Sequence, residues 1–404
     1  MIVMHRVAII GAGPSALMGA QVLAEKGHHV AIYDRMPSPS RKFLIAGRGG
    51  LNLTHSEPLE DFLKRYGNAA TWLAPAIRAF TPNDLRDWCE ALGEPTFVGS
   101  SGRVFPRSMK AVSLLRAWLR HLEALGVSYH PRHEWLGWKD NMLQFRTQTG
   151  EQSVKADATL LALGGASWPR LGSDGSWVEI LRAGGIEVSP LQPANCGFLV
   201  AWSDYLRERF AGHPLKPLAI THAGITHRGE AMITARGIEG GAVYALSGAI
   251  RNAIAREGFT RITLDLRPTM PLEALRTKLA ERGNKSLSSF LRSANFSPLA
   301  IALLHETTLN AGGIDDLAAR LKAVPLTLTG TTGFARAIST AGGITRDALD
   351  DHYMLRGKAG VFVAGEMLNW EAPTGGYLLQ ACFSTAVAAA QGIMHYLDQK
   401  RPND

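Results

Sequence analysis

Residues 7–34 constrain the fold of this chain more than any other stretch. Val7-Ala8-Ile9-Ile10 is a short apolar run that ends in Gly11-Ala12-Gly13-Pro14-Ser15-Ala16. An apolar segment with helical spacing follows to Lys26, Gly27 stops it, and Val30-Ala31-Ile32-Tyr33 leads to Asp34. The pattern is strand, glycine turn, helix, strand. Gly11 permits the tight turn, Gly13 has no Cβ and lets backbone approach a pyrophosphate, and Ala16 is small enough for the helix to lie against the sheet. Free N–H groups and the positive dipole end of that helix suit phosphates. Asp34, closing the second strand, stands where an acid can hold ribose hydroxyls. A glycine turn alone is a weak signal. The strand before it, the helix after it and the acid at the next strand end place dinucleotide binding ahead of an ordinary buried turn.

The next segment, 35–58, reads as a basic, glycine-rich loop. It carries Arg35, Arg41, Lys42, Gly49, Gly50, Leu51, Asn52, Thr54 and His55. Its glycines let backbone pass close to a ligand and its cations suit phosphates. Thr81-Pro82 opens a helix that Gly93 ends, 97–106 reads as a hairpin, and Ser108 begins a helix that ends near Gly126. Short strands fill 135–163, and the last runs into Gly164-Gly165, a second strand that ends in glycines. From Pro190 the chain turns β-rich to about Arg267, 271–322 is helical by pattern, and 325–330 reads as a returning strand. Gly360 to Glu366 is a short buried strand. Pro373-Thr374-Gly375-Gly376-Tyr377 then opens an alanine-rich helix whose Ala386, Ala389 and Ala390 suit close packing against the first helix.

The expected fold class is α/β. A Rossmann-like domain is built from both chain ends, 1–190 and 336–404. A β-barrel-like domain, 191–270 with 323–335, is inserted into it and carries a helical subdomain, 271–322.

Charge and cysteines narrow the function. The net charge of +8 admits a nucleic-acid or acidic-substrate partner and equally suits an anionic cofactor. Cys89, Cys196 and Cys382 form no CxxC pair, which argues against a disulfide framework, a zinc site and a dithiol centre and suits a reducing cytoplasm. No metal site is expected. The N-terminal apolar run is broken by Gly11, Gly13 and Pro14, unlike a signal peptide, and no uninterrupted apolar run is long enough to span a bilayer, so no membrane partner is expected.

With these pieces in view, the chain resembles the BaiN/RdsA family of NAD(P)/FAD-dependent oxidoreductases, also described as aminoacetone-oxidase-like flavoproteins. The resemblance rests on Arg41-Lys42-Phe43-Leu44-Ile45 with Asn52 and Thr54, on Gly102-Arg103-Val104-Phe105-Pro106, on Thr340-Ala341-Gly342-Gly343-Ile344, and on Gly365-Glu366 followed by Pro373-Thr374-Gly375-Gly376-Tyr377. It implies non-covalent FAD. Arg41 and Lys42 would lie near the pyrophosphate with the Gly11 to Ala16 turn, Asp34 would meet the adenosine ribose, and the backbone at Trp135 would flank the adenine; Arg35, beside Asp34, is a further cofactor-binding candidate. Gly49, Gly50, Leu51 and Asn52 would pass the flavin. Gly365, Glu366, Thr374, Gly375, Gly376 and Tyr377 would line the ribityl chain and ring. Gly164 and Gly165 are further cofactor-binding candidates, by their own strand-end pattern. Two departures mark a divergent branch. The family's Gly-Arg-Cys-Asn is here Gly49-Gly50-Leu51-Asn52, and its Thr-His-x-Gly-x-Ser-Gly-Pro is here Thr234 to Gly241.

FAD carries the redox chemistry, so no catalytic triad is required. Tyr377 is the candidate catalytic residue, as a proton donor or else as a wall of the site; His55, Asn369 and Trp168 are lesser candidates. No second glycine fingerprint occurs, so NAD(P)H would bind transiently as electron donor, or the substrate itself would reduce the flavin. The expected activity is NAD(P)H-driven reduction of a C=C bond in a small molecule. The alternatives are a small-amine oxidase that uses O2, and a flavoprotein that reduces uridine in ribosomal RNA. The last is motivated by Arg276, Lys278, Arg282, Lys285 and Arg292, although such a run is more often a solvated helix face.

Overall fold

The structure, a computed structural model, describes residues 4–47, 49–280, 284–307 and 314–400. The chain divides into two units, Met1–Gln192 with Ser339–Asp404, and Pro193–Ile338.

The first unit is organised by β1 (Arg6–Ile10), α1 (Pro14–Glu25), β2 (His29–Asp34), α2 (Arg41–Ala46), β3 (Ser128–Pro131), β4 (Ala158–Leu161), β5 (Val361–Val363) and α3 (Tyr377–Gln399). Its five-stranded sheet has the order β5-β4-β1-β2-β3, and every pairing is parallel. Strands covered on both faces read as continuous apolar runs, and Val7 to Ile10, Ala158 to Leu161 and Val361 to Val363 are all buried. Strand order reverses between β1 and β4. A crevice therefore opens at their carboxyl ends, where ligands of such sheets bind.

The two chain ends meet in the core of this unit. α1 lies against α3, with Ser15 Oγ donating to Cys382 O at 3.0 Å, and Ala386, Ala389 and Ala390 are fully buried. A Cβ at Gly19 would stand 2.5 Å from Leu160 Cδ2, so glycine there lets α1 settle on the sheet. Among the described residues α3 is the one helix long and apolar enough to cross a bilayer, and most of it is buried inside this unit.

One reading of local structure changes: the segment 35–58 is not all loop, because α2 occupies its middle. The β-rich stretch 190–267 also holds helices Asp204–Phe210, Gly241–Tyr244 and Ser247–Glu257.

The second unit is a six-stranded antiparallel sheet, in the order Phe198–Leu199, Gly237–Glu239, Ile225–Thr234, Pro214–His222, Thr260–Asp265, Val324–Leu328. It curls as a half-barrel. The first strand also bonds the segment after the last, with Leu199 N donating to Gly330 O at 2.8 Å and Thr332 N to Gly197 O at 2.9 Å. Four helices, Leu272–Ala280, Leu287–Ser293, Pro298–Thr307 and Ile314–Lys322, form its helical part. Gly237 explains part of the divergent motif, for a Cβ there would overlap Phe198 O.

Candidate cofactor site

The crevice at β1 and β4 is a cleft partly open to solvent. The glycine turn forms its floor. Gly11 has φ +100°, and a Cβ there would stand 2.4 Å from Ala162 O, so no other residue serves. A Cβ on Gly13 would meet no atom within 4 Å, because the space beside it is the cleft itself. α1 begins at this point with no side-chain cap and no acid in its first turn, which leaves its leading N–H groups available to an anion.

Asp34 braces that turn. Its Oδ2 accepts from Ala12 N at 2.7 Å and its Oδ1 from Met36 N at 2.6 Å, while each oxygen retains a second lone pair. Burial raises its pKa against the pull of those two N–H groups and of Arg35 and Arg41. Arg35 pairs with Asp174 at 2.6 Å and so ties the end of β2 to the wall formed by Leu171 to Ser176. A Cβ at Gly172 in this wall would stand 2.7 Å from Met36 Cγ.

On the other side, Lys42 of α2 reaches Glu366 Oε2 at 2.7 Å and also donates to Ser167 Oγ. Glu366 is further held by Thr340 N at 3.0 Å and Gly165 N at 3.3 Å. Thr340 Oγ1 in turn accepts from Ala166 N at 2.8 Å and Ser167 N at 3.2 Å. The Thr340 to Ile344 motif is thereby explained. Its strand Ser339–Ile344 pairs with Val188–Ala194, and Cβ atoms at Gly342 and Gly343 would collide with Pro190 O and Met367 O.

Two buried polar atoms of the cleft lack a partner among the described residues, Trp135 Nε1 and Ser173 Oγ. Their residues are only 6% and 8% exposed, and an unsatisfied buried polar group costs about 1–3 kcal/mol. A glycine cradle, an uncapped helix start and unmet donors fit a dinucleotide. Cys382 also lines the cleft, and burial pushes its thiol up to about 12, so it stays protonated. Among the described residues no group of three or more His, Cys, Asp or Glu is placed to hold a metal.

Twelve of the expected contacts line this cleft: Gly11, Ala12, Gly13, Pro14, Ser15, Asp34, Arg35, Arg41, Lys42, Trp135, Gly164 and Glu366. Ala16 is fully buried. Gly365 packs against Ser15, whose Oγ would stand 2.2 Å from an added Cβ, and Gly165 packs against Thr340. Gly49, Gly50, Leu51, Asn52, Thr374, Gly375, Gly376 and Tyr377 lie outside the residues that line it. Leu51 is fully buried, and Gly50 faces Met109 Cε.

A second cluster gathers at the start of α3. A Cβ at Gly376 would stand 2.4 Å from Thr54 Cα. Thr54 Oγ1 and Asn52 Oδ1 are buried with no partner among the described residues. The Tyr377 hydroxyl donates to Glu57 Oε1 at 2.6 Å. His55 stacks on Tyr377, 5.5 Å between ring centroids. Its Nδ1 accepts from Glu57 N at 3.1 Å and its Nε2 meets Ser101 O at 3.0 Å, which occupies both ring nitrogens. Asn369 donates to Ser189 Oγ, and Trp168 caps a short helical turn at φ 59°.

Sequence reasoning missed Ser173 and Asp174, whose Gly172-Ser173-Asp174-Gly175 turn was the available signal, and it gave Thr340 no role. Of the basic set in the second unit, Arg276 is paired with Glu273, Lys285 has a partner, Lys278 and Arg292 are solvent-accessible, and Arg282 lies outside the described residues.

A family model described as "HI0933-like protein Rossmann domain" matches residues 5–392. The chain belongs to this HI0933-like family. It is an FAD-dependent oxidoreductase, and FAD, when bound, supplies hydride transfer. One relative is a 3-dehydro-bile acid delta(4,6)-reductase of Clostridium scindens, 26% identical, with 96% of this chain and 98% of that protein covered. Another is a ribosomal RNA dihydrouridine synthase of Escherichia coli, 25% identical, covering 96% and 97%. Two solved structures share the fold. A 3-ketosteroid delta1-dehydrogenase from Sterolibacterium denitrificans has TM-score 0.53 at 11% identity, with 98% of this chain and all of that chain covered. A flavocytochrome c3 fumarate reductase has TM-score 0.50 at 12% identity, covering 97% and 78%.

Proposed function

We propose that this HI0933-like chain is a member of the BaiN/RdsA group and works in the cytoplasm. It reduces a ring C=C bond in a small molecule, with NAD(P)H as a transient electron donor. In this reading 1–190 with 336–404 is the cofactor domain, and 191–270 with 323–335 carries the helical subdomain 271–322. The pyrophosphate lies over Gly13 and the start of α1, the adenosine between Asp34 and Trp135, and the ribityl chain near Lys42 and Glu366. The flavin ring lies toward Asn52, Thr54 and Gly375-Gly376, where the start of α3 offers N–H groups to the ring edge that gains negative charge on reduction. The observation that carries the reading is the cleft itself, with its open space at Gly13 and its unmet Trp135 Nε1 and Ser173 Oγ. The direction of the reaction is supported by the names of the relatives, one a reductase and the other a synthase of a dihydro-nucleoside.

Anaerobic stopped-flow tests it: the FAD-loaded protein is mixed with NADH, NADPH or aminoacetone and flavin bleaching is followed. Rapid bleaching by a pyridine nucleotide is expected. Bleaching by the amine alone would make the protein an oxidase and reject the reductase reading. The ribosomal RNA relative favours a second reading, in which the substrate is a uridine in structured RNA. It expects an RNA affinity that falls steeply with salt and is reduced by neutralising Lys278 and Arg292.

A further inference from the structure

We propose that Tyr377 is a positioning residue. With Glu57 and Arg65 it clamps the first turn of α3 onto residues 52–57, and it gives no proton to the substrate. The inference rests on the FAD reading above and sharpens it.

The clamp is closed on every side. Arg65 grips the Glu57 carboxylate through Nε at 3.1 Å and Nη2 at 2.6 Å, the bidentate geometry that fixes direction as well as distance. Glu57 accepts the Tyr377 hydroxyl at 2.6 Å. The Tyr377 carbonyl accepts from Tyr66 Oη at 2.7 Å, and Tyr66 is itself 2% exposed. His55 stacks on one side of the Tyr377 ring, and Phe62 lies 4.9 Å away, centroid to centroid. The ring and the backbone of the first α3 residue are therefore both held.

What this holds in place is polar and otherwise unmet. Gly376 lies against the Thr54 main chain. Thr54 is 0% exposed, yet its Oγ1 has no partner among the described residues, and Asn52 Oδ1 is in the same condition. α3 begins with no side-chain cap and no acid in its first turn. A small rotation of this turn would move its N–H groups relative to Thr54 and Asn52, and the clamp prevents it.

The same contacts make Tyr377 a poor acid. Burial first, and the bond to Glu57 second, hold the phenol proton in place and raise its pKa. Arg65 keeps Glu57 ionised. Proton release from Tyr377 would break the Glu57 bond and leave two negative charges side by side in a largely buried site.

The test is a double-mutant cycle on the full-length protein, with Tyr377→Phe, Glu57→Gln and the pair. It reads the FAD dissociation constant and the two-electron potential of the bound flavin. Positioning expects each single variant to weaken FAD by on the order of 10-fold and to lower the potential. It expects the pair to do no worse than either single, because all three break one clamp. Arg65→Gln, at a half-exposed position, loosens the clamp from outside and should move both readouts the same way if Tyr377→Phe proves insoluble. FAD affinity and potential unmoved in Tyr377→Phe, or in Arg65→Gln where Tyr377→Phe is insoluble, overturn the inference. Additive effects in the pair overturn it as well. A wild-type chain that binds no FAD instead overturns the cofactor reading on which it rests.

Discussion

At Gly13 a side chain can be added without touching protein, because nothing lies within 4 Å of the new Cβ. Gly13→Val should therefore fold with the thermal stability of the apoprotein and yet purify with little flavin. Flavin absorbance per protein, read beside a melting curve, checks both halves. Glu57 gives the pH test. The Arg65 guanidinium beside it holds its carboxyl below the ordinary 4.5, against a smaller opposing effect of burial. The unfolded chain then takes up the proton first as pH falls, so the stabilisation is complete above 4.5 and is lost as pH drops through the folded value. Arg65 is half exposed, so the contribution is about 1 kcal/mol at most. The gap in melting temperature between wild type and Glu57→Gln should be constant near neutrality and close on acidification; a gap that widens in acid would contradict it. Asp34 and Glu366 show where sequence reading stopped. Their places at strand ends are visible in the local pattern. That Asp34 holds Ala12 N, and that Glu366 joins Lys42, Gly165 N and Thr340 N, depends on segments brought together only by the tertiary fold.

Among the elements, the buried parallel strands were legible because coverage on both faces leaves an uninterrupted apolar run. α2 was not, since it is six residues long and sits among glycines and cations that read as loop. The strand Ser339–Ile344 was missed because Gly342-Gly343 interrupts its pattern, and only the neighbouring backbones reveal why glycine is required there. The wall Leu171 to Ser176 was missed for a related reason: its shape is irregular and its anchor, Arg35–Asp174, is a contact between distant segments. That anchor carries a prediction. Arg35→Ala should free the wall from β2 and speed FAD release. For a pair whose side chains are 25% and 32% exposed, the effect should be modest, about 0.2–1 kcal/mol. Recovery of flavin fluorescence after dilution measures it, and an unchanged rate would show that the wall is held by packing alone.

For the molecule as a whole, a cofactor that binds only the folded chain raises its stability by mass action, by about 2.7 kcal/mol at a hundredfold excess over its dissociation constant. Adding FAD to apoprotein should lift the melting temperature in a concentration-dependent way, and FMN should not, because it lacks the adenosine that Asp34 and Trp135 would meet. Acid precipitation should leave yellow FAD in the supernatant. Flavin retained in the pellet would show a covalent bond.

The meeting of β4 with β5, and of α1 with α3, also has a consequence for the order in which the protein can be made. A ribosome releases β1, β2, β3 and β4 long before Val361–Val363. Through the whole synthesis of Pro193–Ile338, one edge of the nascent parallel sheet stays unpaired and the apolar face of α1 stays uncovered. An open strand edge beside exposed apolar surface invites association with other chains. Contacts between segments so far apart in the chain also form slowly. Burst release from ribosomes stalled just before α3 should therefore yield aggregates, and chains released after Gln399 should not.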